Sequence, residues 1–289
     1  MAQAAPYRSV LYMPGSKLRA LEKAQTLPAD ALILDLEDAV APSEKTSARD
    51  LVCTPQRVQS YGLRKVLIRI NGLDTEWGKD DLIAAGRAAP DGILVPKVNR
   101  ALDVQAVASA LAEVPERTRI WAMMETPLSM LNVQEIAQSH PRLEGFVLGT
   151  NDLIKELGAQ FTPDRAPVLT SLSMCLLAAR ASGLICLDGV YNAFKDDVGL
   201  RAECFQGRAL GFDGKTLIHP AQLDITNEVF APSAEDVALA RTQIEAFEAA
   251  TAAGDGVAVV NGRIVENLHV ETARNTLAKA DAIAKLAAG

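Results

Sequence analysis

The sequence predicts an α/β protein, a closed (β/α)8 barrel with a C-terminal helix–hairpin–helix extension, on three observations. Eight short, almost continuously apolar runs follow one another, as expected for parallel strands that are covered on both faces. The segments between them have the period of helices. Eight such units within about 220 residues match a closed barrel. The glycine-rich nucleotide loops typical of the alternative, an open doubly wound sheet, are absent from the sequence.

The predicted barrel occupies residues 1–231, and its strands follow in chain order. They are RSVLYM from Arg8, ALILDL from Ala31, KVLIRI from Lys65, GILVPK from Gly92, RIWAMM from Arg119, GFVLGT from Gly145, LICLDG from Leu184 and KTLIHP from Lys215. Helical period is clearest in KLRALEKAQTL, in DVQAVASALAEV and over residues 169–181.

Residues 232–289 have a different pattern. A long helix is predicted after the N-cap candidate Ser233, and GVAVVNGRIVENLHV indicates a hairpin with Asn261-Gly262 as a type I′ turn. A last helix, ETARNTLAKADAIAKLAAG, ends the chain. We expect this extension to be too small for a core of its own, so that it packs on the barrel or on a neighbouring subunit.

Composition narrows the class of protein further. The 289 residues are 49% hydrophobic and carry a net charge of −7 without a basic run, which argues against nucleic-acid binding. No secretory signal and no membrane span are recognisable, so a cytoplasmic protein is expected. The four cysteines are far apart and match no metal-finger spacing, so free thiols in a reducing compartment are predicted.

Polar residues end each predicted strand, and active sites of such barrels lie at these carboxyl ends. Glu125 and Asp152 end adjacent strands, and two carboxylates that leave positions for water and substrate oxygens suit Mg²⁺. Mn²⁺ fits the same ligands. The alternative is that each carboxylate pairs with a loop arginine or caps a helix. The three histidines are not in metal-ligand spacing, and no nucleophile elbow is present.

Arg69 ends an apolar strand, so its guanidinium is predicted to project into the barrel mouth. A fixed bidentate cation there suits a carboxylate or an oxygen that gains negative charge. Asp35, Glu37 and Asp38 are near enough in topology to hold it. A purely structural ion pair is a competing and compatible account.

Seven motifs in order resemble the HpcH/HpaI aldolase and citrate lyase β-subunit-like superfamily, in its malyl-CoA lyase branch: RSVLYMPGS, ILDLEDAV, IRINGLDT, VPKV, the Glu of MMET, LGTND and KTLIHPAQ. The resemblance implies a Mg²⁺-dependent barrel that acts on CoA thioesters, with Glu125 and Asp152 as metal ligands and Arg69 on the thioester carbonyl. It further implies contacts to CoA or substrate from Tyr12, Lys17, Lys23, Asn151, Ile218 and His219.

One departure from the family pattern concerns the C-terminal hairpin. Lyases of this branch carry there an Asp that reaches a neighbouring subunit's site as acid or base, whereas this chain has Glu266. One extra methylene displaces a carboxylate that must be closely positioned. Glu266 is nevertheless a predicted catalytic residue. The other predicted catalytic residues are Arg69, Glu37 and Asp38.

The segments GVAVVNGRIVENLHVETARNTLAKA, WAMMET and GTNDLIKELG are similar to relatives that hydrolyse (S)-malyl-CoA to malate and CoA. Hydrolysis is therefore the first expectation. The alternatives are cleavage of malyl-CoA or methylmalyl-CoA to glyoxylate and a smaller acyl-CoA, or service as a citrate-lyase-like subunit. Because a C-terminal hairpin that reaches a neighbouring subunit's site requires such a neighbour, a homotrimer or a hexamer is expected.

Overall fold

A computed structural model describes residues 5–288, and within them eight parallel strands close into a barrel. Each strand pairs with its neighbours in sequence, and the last pairs with the first. The barrel strands are β1 (Ser9–Pro14), β2 (Ala31–Asp35), β3 (Lys65–Arg69), β4 (Gly92–Val95), β5 (Arg119–Met124), β6 (Leu143–Leu148), β7 (Ile185–Asp188) and β8 (Gly214–Leu217). The predicted (β/α)8 barrel is confirmed.

Helices connect the strands and continue beyond the barrel. They are α1 (Leu18–Lys23), α2 (Lys45–Val52), α3 (Pro55–Gln59), α4 (Gly78–Ala88), α5 (Ala101–Ala110), α6 (Pro127–Leu131), α7 (Val133–Ala137), α8 (Thr150–Leu157), α9 (Leu169–Ala181), α10 (Asp197–Leu210), α11 (Leu223–Phe230), α12 (Ala234–Ala252) and α13 (Asn267–Ala288). Short 3₁₀ turns precede α2, α9 and α11.

The barrel is filled by side chains, and its largest fully buried one is Trp121 on β5. The indole nitrogen donates a hydrogen bond of 3.0 Å to Glu144. Gly92 and Gly145 flank this ring: a Cβ built on either glycine would lie 2.7 Å or 2.5 Å from it. Two neighbouring strands therefore carry glycine because the tryptophan fills their space.

Strand register determines which polar residues meet at the carboxyl edge of the barrel. Asp35 of β2 is the register partner of Arg69 of β3, and both are buried. Asp188 of β7 is likewise the partner of Lys215 of β8. Parallel pairing thus places an acidic residue beside a basic residue at two places in the barrel, between β2 and β3 and between β7 and β8.

Two compact units make up the described chain: residues 7–230 form the first, and residues 231–288 together with residues 5 and 6 form the second. In the second unit, Ser233 caps α12 by accepting a 3.0 Å hydrogen bond from the Asp236 amide. The hairpin strands are β9 (Ala258–Val260) and β10 (Arg263–Val265). Asn261 and Gly262 between them have φ of 51° and 75°, which confirms the predicted type I′ turn.

The second unit has a small apolar cluster of its own, so the expectation that it lacks a core is wrong. Buried side chains of β9, β10 and α13 pack against Phe247 and neighbouring residues of α12. The buried members are Ala258, Val260, Val265 and Val270. The final helix also begins at Asn267, four residues before the predicted Glu271, because the residues after β10 continue directly into it.

All four cysteines are free, and Cys175, Cys186 and Cys204 are buried, as the sequence predicts. Over residues 5–288, no helix combines the length and the apolar character that a membrane crossing requires.

Candidate active site

A cavity of about 290 Å³ opens at the carboxyl ends of the strands. Most of the side chains that the sequence singled out line it, together with Asp35. The predicted residues among its lining are Tyr12, Asp38, Arg69, Glu125, Asn151, Asp152 and Ile218. Residues from the ends of six different strands therefore meet in one place.

Arg69 is held by carboxylates on two sides. Nε and Nη2 donate to the two oxygens of Asp35 at 2.6 Å each, a bidentate pair. Nη1 lies 2.7 Å from Oε2 of Glu37 and 3.4 Å from Oδ2 of Asp38. Since only 8% of its side chain is exposed, the guanidinium has one fixed orientation at the cavity wall.

The acids around Arg69 determine its charge state. Burial disfavours the charged guanidinium, but Asp35 and the other nearby acids outweigh burial and raise the pKa of Arg69 above its ordinary value. Burial raises the pKa of Glu37 to about 8 although the guanidinium lowers it. The site therefore combines a permanent cation with an acid that titrates in the neutral range.

Glu125 follows β5 and is nearly completely buried. Its Oε1 accepts a 2.8 Å hydrogen bond from the backbone N–H of Lys97, which orients the carboxylate. Gly149, after β6, has no side chain because a Cβ there would overlap the Glu125 carboxylate. Burial, with a contribution from Asp152, raises the pKa of Glu125 to about 7.

Asp152 lies in the first turn of α8 and faces the same cavity as Glu125. Over residues 5–288, no group of three or more His, Cys, Asp or Glu side chains is arranged to hold a metal ion. Two carboxylates that repel each other and leave other positions open fit a divalent ion that also takes water or substrate oxygens. The donor set is therefore compatible with Mg²⁺.

Three further predicted residues line the cavity in different environments. Tyr12 places its ring 4.8 Å from the guanidinium carbon of Arg69, and burial raises the pKa of its hydroxyl. Asn151 exchanges two amide hydrogen bonds, of 3.2 Å and 2.8 Å, with Asn192. Ile218 is 42% exposed after β8. The tyrosine is thus part of the buried charge cluster, whereas the other two belong to the outer rim.

Five predicted residues lie outside the cavity lining, and one of them is Glu37, which reaches Arg69 from the loop after β2. Lys17 and Lys23 are exposed at the two ends of α1, and Lys17 lies 3.4 Å from Glu44. His219 accepts a hydrogen bond from the Ala221 amide through Nδ1 and packs on Phe194. Glu266 belongs to the second unit, where it is exposed directly after β10.

Two site residues were not among the predicted catalytic, binding or metal residues. Asp35 makes the strongest contact to Arg69, although the sequence analysis placed it only near that cation. Lys97 orients Glu125 through its backbone, at a φ of 50° that is unusual for a residue other than glycine. Burial opposes the charged ammonium, but Asp152 and Glu125 outweigh it and raise the pKa of Lys97. The position of Lys97 in the turn after β4 was the available signal.

Comparison with known proteins adds independent information. A family model described as HpcH/HpaI aldolase/citrate lyase matches residues 8–220. A protein of Cereibacter sphaeroides named (3S)-malyl-CoA thioesterase is 62% identical over 286 residues, which are 99% of this chain and 99% of that protein. The citrate lyase subunit beta of Escherichia coli is 35% identical over 281 residues, 95% of this chain and 93% of that subunit.

Solved structures show the same architecture. The protein CitE from Mycobacterium tuberculosis, in complex with magnesium, acetoacetate and coenzyme A, matches with a TM-score of 0.77 and 30% identity. The match covers 96% of this chain and 99% of that one. RipC from Yersinia pestis matches with a TM-score of 0.70 at 28% identity, over 81% of this chain and all of RipC.

Proposed function

Because the chain belongs to the HpcH/HpaI aldolase/citrate lyase family, as its motifs predicted, we propose that it hydrolyses (3S)-malyl-CoA to malate and CoA. The full-length relative that is 62% identical has that activity in its name. The structural observation that carries the proposal is the fixed guanidinium of Arg69 in one cavity with Glu125 and Asp152. A cation and a divalent-ion site side by side suit a substrate with a thioester at one end and a carboxylate at the other.

Glu125 and Asp152 are the residues that would hold Mg²⁺. When bound, the ion supplies charge that fixes the hydroxyl and terminal carboxylate oxygens of the malyl group. This role is supported by the magnesium in the CitE complex and by the oxygen-only donor pair of this cavity. Mn²⁺ accepts the same ligands.

Arg69 faces the thioester oxygen in the proposed mechanism. Attack of water at the thioester carbon forms a C–O bond and a tetrahedral oxyanion, which the guanidinium stabilises. The C–S bond then breaks, and the thiolate of CoA leaves with a proton. Asp35, Glu37 and Asp38 keep the guanidinium in place, so its orientation is established before the reaction.

Glu266 acts in this proposal in one of two ways. As a base, it takes the proton from the attacking water and returns it to the departing thiolate; as a nucleophile, its carboxylate attacks the thioester carbon, the C–S bond breaks to release CoA, and water then hydrolyses the mixed anhydride to malate and free Glu266. It acts from residues 232–289 of a neighbouring subunit, within a trimer or a hexamer. Lys17 and Lys23, exposed at α1, bind the CoA moiety, and Tyr12, Asn151, Ile218 and His219 complete the substrate contacts.

The test is to incubate purified enzyme with malyl-CoA and Mg²⁺, follow free thiol and trap glyoxylate with phenylhydrazine. Hydrolysis releases thiol without hydrazone, and removal of the ion with EDTA should abolish it until Mg²⁺ is added back. Hydrazone that matches thiol release would show carbon–carbon cleavage instead. Release of neither product would overturn the assignment to malyl-CoA.

A further inference from the structure

Lys45 is an unusual residue for its position. It is the first residue of α2, yet its side chain is directed away from solvent and the residue is only 6% exposed. A cation in the first turn of a helix is unfavourable with respect to the helix dipole. Burying an ammonium is also costly unless it is fully hydrogen-bonded. The contacts of this ammonium must therefore compensate for both effects.

All three ammonium protons of Lys45 have acceptors. Nζ donates to the backbone oxygen of Leu36 at 2.9 Å, to that of Glu37 at 2.7 Å and to Oδ1 of Asn71 at 2.7 Å. Two of these acceptors belong to the segment between β2 and the next 3₁₀ turn, which has no helix or strand. Lys45 therefore fixes the backbone that carries the Glu37 carboxylate.

The ammonium is itself braced from neighbouring elements. Asn71, after β3, also donates Nδ2 to the oxygen of Leu36 at 2.9 Å and to Oδ2 of Asp81 at 2.6 Å. Asp81 in turn accepts a 2.6 Å hydrogen bond from Nε of Arg49. The loop backbone is thus tied to the end of β3 and to helices α2 and α4.

We propose that Lys45 is a positioning residue for the catalytic arginine, which acts by holding Glu37 against Arg69. The role of Lys45 in catalysis rests on the proposed hydrolysis. The contacts of Lys45 that hold the Glu37 backbone do not depend on that proposal. Lys45 is not part of the cavity lining, so its effect is transmitted through the Glu37 backbone to the 2.7 Å ion pair with Arg69.

The first test is kinetic and uses Lys45→Met, which keeps the length of the side chain and removes its charge. We expect kcat for malyl-CoA hydrolysis to fall about 10- to 100-fold, as displacement of a catalytic group does, with KM nearly unchanged. In a Glu37→Gln background the same substitution should have little further effect, because both act through one ion pair. Independent, multiplying effects of the two substitutions, or a wild-type kcat for either single variant, would overturn the proposal.

Lys65→Met is the matched control. Lys65 also forms an ion pair, at 2.7 Å with Asp91, but at the opposite end of β3 from Arg69. We expect that variant to retain the wild-type kcat. A loss equal to that of Lys45→Met would mean that removal of any buried or paired lysine has this effect, and the proposal would fail.

A second measurement is independent of activity. In a crystal structure of Lys45→Met, the Glu37 carboxylate should leave Arg69 while the Asp35 pair remains. Retention of the Glu37 ion pair would overturn the positioning role even if kcat has fallen. Conversely, wild-type enzyme that fails to hydrolyse malyl-CoA overturns the proposed function but not this structural result. If Lys45→Met does not fold, Lys45→Gln, which keeps two amide protons as donors, serves in both experiments.

Discussion

At the scale of single residues, the site depends on a guanidinium that cannot turn. Asp35 holds one edge of Arg69 with two 2.6 Å hydrogen bonds, and Glu37 holds Nη1 at 2.7 Å. Tyr12 covers the face of the group. In the proposed hydrolysis, a guanidinium held in this way can stabilise an oxygen that gains charge without reorganisation during the reaction.

Replacement of Arg69 by lysine should therefore greatly reduce the rate of malyl-CoA hydrolysis. A lysine keeps the charge but cannot form the bidentate contact with Asp35, so its ammonium has no fixed orientation. We expect kcat/KM for malyl-CoA to fall about 10²- to 10³-fold, measured by thiol release. Arg201→Lys is the control, because Arg201 forms an exposed ion pair with Glu228 on the barrel surface. A loss smaller than threefold, on the order of measurement scatter, would remove Arg69 from the mechanism.

Glu37 should make the stability of the protein depend on pH. Its pKa is raised from 4.5 to about 8 in the folded protein, so the folded state binds more protons than the unfolded state between these values. The free energy of unfolding should therefore fall as the pH rises through this range, by at most about 1.4 kcal/mol per pH unit.

In Glu37→Gln the side chain cannot titrate, so the variant lacks this loss of stability. Between about pH 5 and about pH 8, its free energy of unfolding should therefore rise relative to that of the wild type. Denaturant titrations at several pH values, without added metal, measure it. Glu76→Gln, at an exposed position, is the control. A pH-independent difference between wild type and Glu37→Gln would contradict the raised pKa.

At the scale of elements, turn chemistry and strand register organise the molecule. The β9–β10 hairpin requires positive φ at both turn residues, and Asn261-Gly262 supplies it. In the barrel, the parallel register of β2 and β3 is what places Asp35 beside Arg69. Each local rule therefore affects the position of a side chain that the proposed mechanism uses. The register of β2 and β3 positions Arg69, and the hairpin positions Glu266, which follows β10.

Gly262→Ala tests the hairpin. Alanine at a φ of 75° is strained, and we expect a loss of about 1 kcal/mol in local stability. Hydrogen exchange of the β9 and β10 amides should accelerate while the barrel strands remain protected. Gly256→Ala is the matched control, because Gly256 has no positive φ and a Cβ there has no neighbour within 4 Å. Equal exchange in the two variants would show that the turn does not limit the hairpin.

At the scale of the whole molecule, the chain consists of a barrel unit and a smaller unit with its own apolar cluster. The proposed assembly requires the second unit to complete the site of another subunit. Glu266 and Arg69 lie in different units, so they can be inactivated separately in different chains.

Mixing Arg69→Ala chains with Glu266→Ala chains tests this assembly. If the hairpin acts on a neighbour, unfolding and refolding the two inactive variants together should regain malyl-CoA hydrolysis, because some sites then receive both intact residues. Each variant refolded alone is the control. If the mixture stays inactive while light scattering shows a trimer or a hexamer, the hairpin does not act in trans.

Much of the fold was predictable because it depends on local patterns. Continuous apolar runs, helical period and the Asn261-Gly262 turn each report a short-range preference, and all eight strands and the hairpin lie where these patterns placed them. The start of α13 was missed because Asn267, a residue type that can begin a helix, follows the hairpin so closely that it was assigned to the hairpin segment. The small core of the second unit was missed because it joins residues of four separate elements, α12, β9, β10 and α13.

The sequence by itself determined the barrel, the family and the identity of the acids and the arginine at the strand ends, since these follow from residue types in order along one chain. Only the tertiary structure decided that Asp35 makes the bidentate contact with Arg69. It also decided that Lys97 orients Glu125 and that Lys45 is buried beneath the Glu37 loop. Those facts depend on strand register and on distances between residues far apart in sequence, which no local pattern contains.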